Sequence, residues 1–225
     1  MIALYHSVAA RSFRPLWALE ELQLPYQLTV LAFPPRVHER SFLAINPLGT
    51  VPAFFDGATR MTESAAICHY LGVKYGPSPL VVGADETDFG AFLNWLHFGE
   101  ATLTFPQTIV LRYERFEPAE RRLPQAAQDY RRWFLGRLRT LEPLLAQHDY
   151  LCAGRFTMAD ISVGYALRLA QFLDVEAEFP APVRRYWERL QQRDGYQRAC
   201  AAEVAAALAQ GVSALPAPAI HAPSS

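Results

Sequence analysis

Lysine is nearly absent from this chain: Lys74 stands alone against twenty arginines. That ratio reads as codon bias of a GC-rich genome and carries no chemistry of its own. Charge is also sparse. Charged residues make up 19% of the 225 positions and the formal net charge is −1, which excludes a nucleic-acid or polyanion partner. Cysteine is scarce and odd in number. Cys68, Cys152 and Cys200 show no metal-ligand spacing, and one thiol must stay unpaired, which favours a reducing, cytoplasmic setting. No apolar run reaches membrane-span length, and no basic-then-apolar signal pattern opens the sequence, so no membrane role is expected. His6, His69, His97, His148 and His221 show no ligand spacing, and no metal is assigned.

What is present is a segment of about two dozen residues: Asn46-Pro47-Leu48-Gly49-Thr50-Val51-Pro52-Ala53-Phe54, then Thr62-Glu63-Ser64-Ala65-Ala66-Ile67. Pro52 cannot donate to a sheet ladder, so it belongs at a strand start, a bulge or an edge. An X-Pro bond in a turn is also where cis peptides occur. Such a bend predicts that the Val51 N–H and C=O face outward, ready to pair with an extended ligand. Asp56-Gly57 reads as a hairpin turn. A helix then begins at Glu63-Ser64. Its first N–H groups, its hydroxyl and its positive dipole end suit a carboxylate. Glu63 beside it suits an ammonium. A free amino-acid end carries both groups.

The residues before this segment read strand, helix, strand. Ile2-Ala3-Leu4-Tyr5 is a short buried strand. A helix begins near Arg11-Ser12, because Pro15 is tolerated only in a first turn. Pro25 closes it, and Tyr26 to Leu31 is the second strand. Strand-helix-strand implies a parallel pair with a right-handed crossover. Phe33-Pro34-Pro35 and a short helical piece around His38 to Ala44 lead to the Val51-Pro52 bend, and a helix from Ser64 to Tyr75 ends the series. Beyond the linker Gly76-Pro77-Ser78-Pro79 the pattern is helical throughout. Glu86 to Phe116 is a long amphipathic segment bent at Pro106, and Ala119 to Gln147 follows, broken lightly at Pro124 and Pro143. Thr157-Met158-Ala159-Asp160 is a variant capping box flanked by Phe156 and Ile161 at hydrophobic-staple spacing, opening a core helix to about Leu173. Helices near Pro182 to Arg193 and Tyr196 to Gln210 complete the bundle. A tail from Ser213, rich in proline, is expected to be disordered.

The ordered combination of Val51-Pro52 with Glu63-Ser64 resembles the glutathione site of the glutathione S-transferases, and the subtype it is most similar to is bacterial and Theta- or Beta-like. The resemblance implies an α/β thioredoxin-like N-terminal domain (residues 1–76), a linker (77–85) and an all-α helical-bundle C-terminal domain (86–212), with 213–225 as tail. It implies that Val51, Pro52, Glu63 and Ser64 bind glutathione. It also implies a homodimer, with the helices of Ser64 to Tyr75 and Glu86 to Phe116 at the interface, and a detoxification role.

A thiol with a pKa near 8.5 is a weak nucleophile at neutral pH, and lowering that value by about 2 units takes about 3 kcal/mol of preferential thiolate stabilisation. The start of the first helix supplies a guanidinium, a hydroxyl and backbone N–H groups in Arg11, Ser12 and the residues behind them. Ala10 stands where similar chains carry the first serine of Ser-Arg-Ser, so Ser12 and Arg11 are the catalytic candidates. A purely capping Ser12, Ser7, or a backbone mechanism are the alternatives. Arg36, His38 and Arg40 are candidates for the glycine carboxylate, with His38 preferred for its spacing to Asn46-Pro47. Phe13, Phe33, Thr102, Phe105, Ile109 and Tyr113 are the expected lining of an apolar electrophile pocket between the domains, with Trp95 and Phe98 read equally as core or subunit interface. The function implied is conjugation of glutathione to a small apolar electrophile. The rival readings are a non-catalytic glutathione-binding protein, or a glutathione-dependent peroxidase or dehalogenase on the same fold.

Overall fold

The computed structural model describes residues 1–217. In chain order the elements are β1 (Ile2–His6), α1 (Phe13–Glu21), β2 (Tyr26–Val30), α2 (Pro35–His38), α3 (Phe42–Ile45), β3 (Ala53–Asp56), β4 (Thr59–Met61) and α4 (Ser64–Lys74). There follow α5 (Phe89–His97), α6 (Phe105–Leu111), α7 (Pro124–Leu138), α8 (Glu142–Leu145), α9 (Met158–Phe172), α10 (Ala181–Gln191) and α11 (Asp194–Ala209). The chain divides into two compact units, Met1–Val81 with Gln191–Ala217, and Val82–Leu190. Of the tail expected from Ser213, residues 218–225, His221 included, lie outside the described residues.

The first unit is built on a four-stranded sheet of order β2-β1-β3-β4. β1 and β2 are parallel, with Ile2 opposite Tyr26, as a crossover through α1 requires. β3 returns antiparallel to β1, with Leu4 opposite Phe54, and β4 closes the hairpin through the Asp56-Gly57 turn, where Gly57 has φ +58°. α1 buries Phe13, Leu16, Trp17 and Leu19 completely, on the order of 2 kcal/mol per side chain. The loop after β2 forms two short helical turns, α2 and α3, where the sequence predicts one piece.

α11 corrects one expectation. The sequence assigns it to the helical bundle, yet it packs on α1 and β2. Its anchors are specific. Arg193 makes a bidentate pair with Glu21 at 2.7 and 2.8 Å. Gln210, just past its end, donates to the Leu28 carbonyl and accepts from the Val30 N–H. The Gln210 amide thereby satisfies part of the open edge of β2, which would otherwise be left unpaired. An alternation of alanines along the helix carries no sign of this, because small residues suit either neighbour.

The second unit is helical. The run from Phe89 to Phe116 is continuous but changes pitch, with wide turns over Phe98–Thr104 and Arg112–Phe116 on either side of α6. Pro106 lies in the first turn of α6 and supplies no N–H. The Thr104 hydroxyl donates to the Gly99 carbonyl at 2.7 Å, five residues back, in keeping with the widened turn. Gly99 is required by close approach: a Cβ there would lie 2.5 Å from the Ser162 backbone in α9. Ala119 to Gln147 is not one helix. Pro124 begins α7 instead of interrupting it, because a proline suits a first turn.

α9 opens with the reciprocal box expected of Thr157 and Asp160. The Thr157 hydroxyl accepts from the Ala159 N–H at 3.3 Å, and one Asp160 oxygen accepts from the Thr157 N–H at 2.8 Å. The other oxygen accepts from the Leu151 N–H and the Tyr186 hydroxyl. Burial pushes the Asp160 carboxyl up to about 6, against the opposing pull of these hydrogen bonds.

Candidate functional site

The bend at Val51-Pro52 is a cis peptide, and Val51 is buried. It is set by the turn before it. Asn46, itself buried, accepts the Leu48 N–H on its side-chain oxygen and donates from its amide to the Thr50 carbonyl at 2.7 Å. Gly49 has φ +62°, and a Cβ there would lie 2.7 Å from the Arg36 Cβ, so only glycine fits. The sequence motif begins at Asn46, but its role as the clamp of the bend emerges only here. An Asn at the head of Asn-Pro-Leu-Gly is the signal that was available, because its side chain commonly closes such turns.

The sequence predicts a Val51 backbone free on both its N–H and its C=O, and the structure differs on the second. Its carbonyl accepts from Arg11 Nε at 3.2 Å. A carbonyl has a second lone pair, so one acceptor direction remains. Its N–H has no partner among the described residues. Arg11 also lies 3.6 Å from Glu63. Arg11 and Glu63 are the two side chains of this cluster that solvent reaches, at 29% and 61% exposure.

Beneath them lies a buried layer. Ser64, the first residue of α4, is fully buried and accepts from Arg14 Nη1 at 3.2 Å. Arg14 is buried as completely, an unusual place for a guanidinium unless it is hydrogen-bonded. Ser12 occupies the N-cap position of α1 but its side chain makes no cap bond. Its Oγ instead lies 2.8 Å from His6 Nδ1 and accepts from the Ser7 N–H at 3.3 Å. No part of Ser12 is exposed. A direct encounter of this hydroxyl with a bound thiol does not fit that placement, and neither does the side-chain capping reading. Sequence reasoning missed Arg14, His6 and Glu203, since a single arginine, histidine or glutamate in a helix or strand carries no spacing signal.

Other expected residues are scattered. His38 is exposed at the end of α2, with no side-chain partner among the described residues. Phe13 is no pocket wall: it is fully buried, with its ring 6.2 Å from Trp17 and 5.7 Å from Tyr196. Phe33 is half-buried ahead of a cis Pro34. In the second unit Thr102, Ile109 and Tyr113 are half-buried and Phe105 is exposed, so these four share one open side of the run, with Phe105 against Tyr130. Trp95 and Phe98 pair edge-on at 5.1 Å, both half-buried. Among the described residues no group of three or more His, Cys, Asp or Glu side chains could hold a metal ion, and no helix is long and apolar enough to cross a membrane.

A mixed sheet of order β2-β1-β3-β4, a cis Val51-Pro52 ahead of β3 and an acidic residue at the head of α4 define a thioredoxin-like architecture. Residues 10–74 match the family model described as glutathione S-transferase, N-terminal domain. It is 39% identical over 106 residues to glutathione S-transferase 3 of Schizosaccharomyces pombe, covering 46% of this chain and 43% of that protein. The chain thus spans under half the length of this relative. It is 28% identical to glutathione S-transferase hmp2 of Hypomyces subiculosus over 89% of this chain and 98% of that protein. Among solved structures, Ure2p5 of Phanerochaete chrysosporium, cocrystallized with 1-(S-glutathionyl)-2,4-dinitrobenzene, superposes with a TM-score of 0.78. It is 26% identical, over 93% of this chain and 96% of that one.

Proposed function

We propose that this protein is a glutathione transferase that binds glutathione, stabilises its thiolate and conjugates it to a small apolar electrophile. The observation that carries the reading is the arrangement around Arg11, which joins the Val51 carbonyl and the Glu63 side chain in one cluster. The cysteinyl backbone of glutathione pairs with the Val51 N–H and the remaining Val51 lone pair, as a strand added to an edge. Its γ-glutamyl ammonium meets Glu63. Its α-carboxylate lies over the start of α4, where Ser64 is the first helical residue. Arg11 and the backbone N–H groups at the start of α1 face the sulfur, the guanidinium lowering the thiol pKa by favouring the charged form. His38 meets the glycine carboxylate. The open side of Thr102, Phe105, Ile109 and Tyr113 takes the apolar electrophile. The protein works as a homodimer in the cytoplasm.

No bond in this scheme needs a protein nucleophile. The glutathione thiolate attacks the electrophilic carbon, a C–S bond forms, and the leaving group departs with its electron pair. The protein's part is to hold the sulfur ionised and positioned. The relative cocrystallized with a glutathionyl-dinitrobenzene supports 1-chloro-2,4-dinitrobenzene as the first electrophile to try. Saturable turnover in both substrates supports the reading. Glutathione binding without turnover of any electrophile favours the second reading, a non-catalytic glutathione-binding protein. Ala10 and the buried Ser12 favour that rival, since together they leave no exposed hydroxyl from the Ala10-Arg11-Ser12 stretch.

A further inference from the structure

A buried chain of hydrogen bonds runs beneath the thiol-facing turn and ends on the last helix. Glu203 in α11 is almost wholly buried, and one of its carboxylate oxygens does two things. It accepts the Ala9 N–H at 3.0 Å and lies 2.8 Å from His6 Nε2. His6, at the end of β1, is fully buried and turns its Nδ1 to Ser12 Oγ at 2.8 Å. Ser12 Oγ in turn accepts from the Ser7 N–H. One assignment satisfies every group. Nε2 carries the proton and donates to Glu203, Nδ1 accepts from the Ser12 hydroxyl, and the Ser12 lone pair takes Ser7.

The membership of serine, histidine and glutamate suggests a hydrolytic triad, and two facts rule it out. Ser12 has no exposed surface for an acyl donor to reach. The ring is also used the other way round, with the carboxylate on Nε2 and the serine on Nδ1. What distinguishes the chain from ordinary core satisfaction is where its bonds end. Ser7, Ala9 and Ser12 are all residues of the single turn between β1 and α1. Ala9 adopts φ +61°, a left-handed conformation that a residue with a Cβ does not choose unaided. The turn also holds itself, through Ala10 N–H to the Ser7 carbonyl at 3.0 Å and Phe13 N–H to the Ala10 carbonyl at 2.9 Å, and Glu203 adds the bond to the Ala9 N–H from another element. Arg11 belongs to the same turn and reaches from it to the Val51 carbonyl.

We propose that Glu203 and His6 are positioning residues of the thiol site. They hold the Ser7–Ser12 turn from beneath, so that Arg11 meets the glutathione sulfur in one geometry. The proposal rests on the transferase reading for its consequence in catalysis. It gives α11 a part in positioning the thiol site through Glu203.

The test compares full-length wild type, Glu203→Ala, Glu203→Gln and His6→Gln with reduced glutathione and 1-chloro-2,4-dinitrobenzene. The bonds from Glu203 reach Ala9 and His6 and end on the Ser7–Ser12 turn, so the larger effect falls on kcat. Glu203→Ala is expected to lower kcat about tenfold with the glutathione KM changed less than about twofold. Glu203→Gln keeps an acceptor oxygen in place and is expected to retain more than about a third of wild-type kcat. Amide hydrogen exchange read on the same samples should show faster exchange over residues 7–13 in Glu203→Ala, with α9 unchanged. Folded Glu203→Ala with wild-type kcat, or with wild-type protection over residues 7–13, overturns the proposal. A drop of the same size in KM terms alone overturns it too. If Glu203→Ala does not fold, Glu203→Gln and His6→Gln are judged by the same two readouts. If wild type neither binds nor turns over glutathione, the transferase reading fails, and the exchange data still decide whether Glu203 holds the turn.

Discussion

Arg11 Nε donates to the Val51 carbonyl at 3.2 Å, across forty residues of sequence. The bond joins the turn before α1 to the cis-proline bend before β3. The same guanidinium lies 3.6 Å from Glu63. One side chain thus touches both backbone and charge elements of the candidate site.

Replacing Arg11 should therefore weaken more than one step. Arg11→Ala is expected to lower kcat/KM for conjugation by about 10- to 100-fold, the size expected when a charged stabiliser of a developing anion is removed. Arg11→Lys should recover only part of it, because an ammonium lacks the planar fork that reaches Val51 and the sulfur together. Steady-state kinetics in both substrates check this.

Glu63 should act on binding alone. It is 61% exposed, so its pair with the glutathione ammonium is partly screened. Glu63→Gln is expected to raise the glutathione KM about five- to tenfold and to leave kcat within about threefold of wild type. Calorimetric titration of glutathione reads the same change as a weaker Kd.

Ser12→Ala should be first a stability variant. It leaves the His6 Nδ1 and the Ser7 N–H without their present partner in a buried layer, a loss of about 1–3 kcal/mol. The hydroxyl has no exposed surface, so the fall in kcat should be smaller than that of Arg11→Ala. Denaturant melts and kinetics on one preparation separate the two effects.

Asp160 predicts a pH dependence of stability with a definite sign. Its folded pKa, about 6, lies above the ordinary value of 3.8. The folded state holds the proton more tightly than the unfolded chain, so this group's stabilising contribution is complete below about pH 4. It is lost as pH rises through about 6, on the order of 3 kcal/mol in all. Denaturant melts between pH 4 and 7 should show this slope in wild type and lack it in Asp160→Asn. Asp160→Asn should also be less stable at every pH, because its amide keeps one acceptor oxygen and its NH2 cannot accept the donors on the other side, where the carboxylate serves Thr157 on one oxygen and Leu151 and Tyr186 on the other.

Much of the fold was legible in the sequence, for reasons that differ from element to element. Pro15 and Pro25 bracket α1 because proline is admitted only at a first turn or past an end. Asp56-Gly57 marks the hairpin because only glycine takes φ +58° freely there. Thr157 and Asp160 mark the start of α9 because a reciprocal cap needs those two groups three residues apart. The Val51-Pro52 bend and the Glu63-Ser64 helix start were found by the same kind of local rule. What stayed hidden was decided by distant contacts. α11 packs on α1 and β2 through Arg193, Gln210 and Glu203, each unremarkable in its own neighbourhood. Ser12 reads as a catalytic or capping hydroxyl at a helix start, and its contact with His6 in the buried layer was not legible from spacing. Phe13 looked like a pocket wall, and Tyr196 from the last helix covers it.

The central claim is that this protein holds glutathione with its sulfur ionised. The direct measurement is a difference ultraviolet titration of reduced glutathione into the purified protein near neutral pH, following thiolate absorbance. A saturating rise, lost in Arg11→Ala, is the predicted result. Saturable binding by calorimetry with no thiolate signal would contradict the claim that the site ionises the thiol.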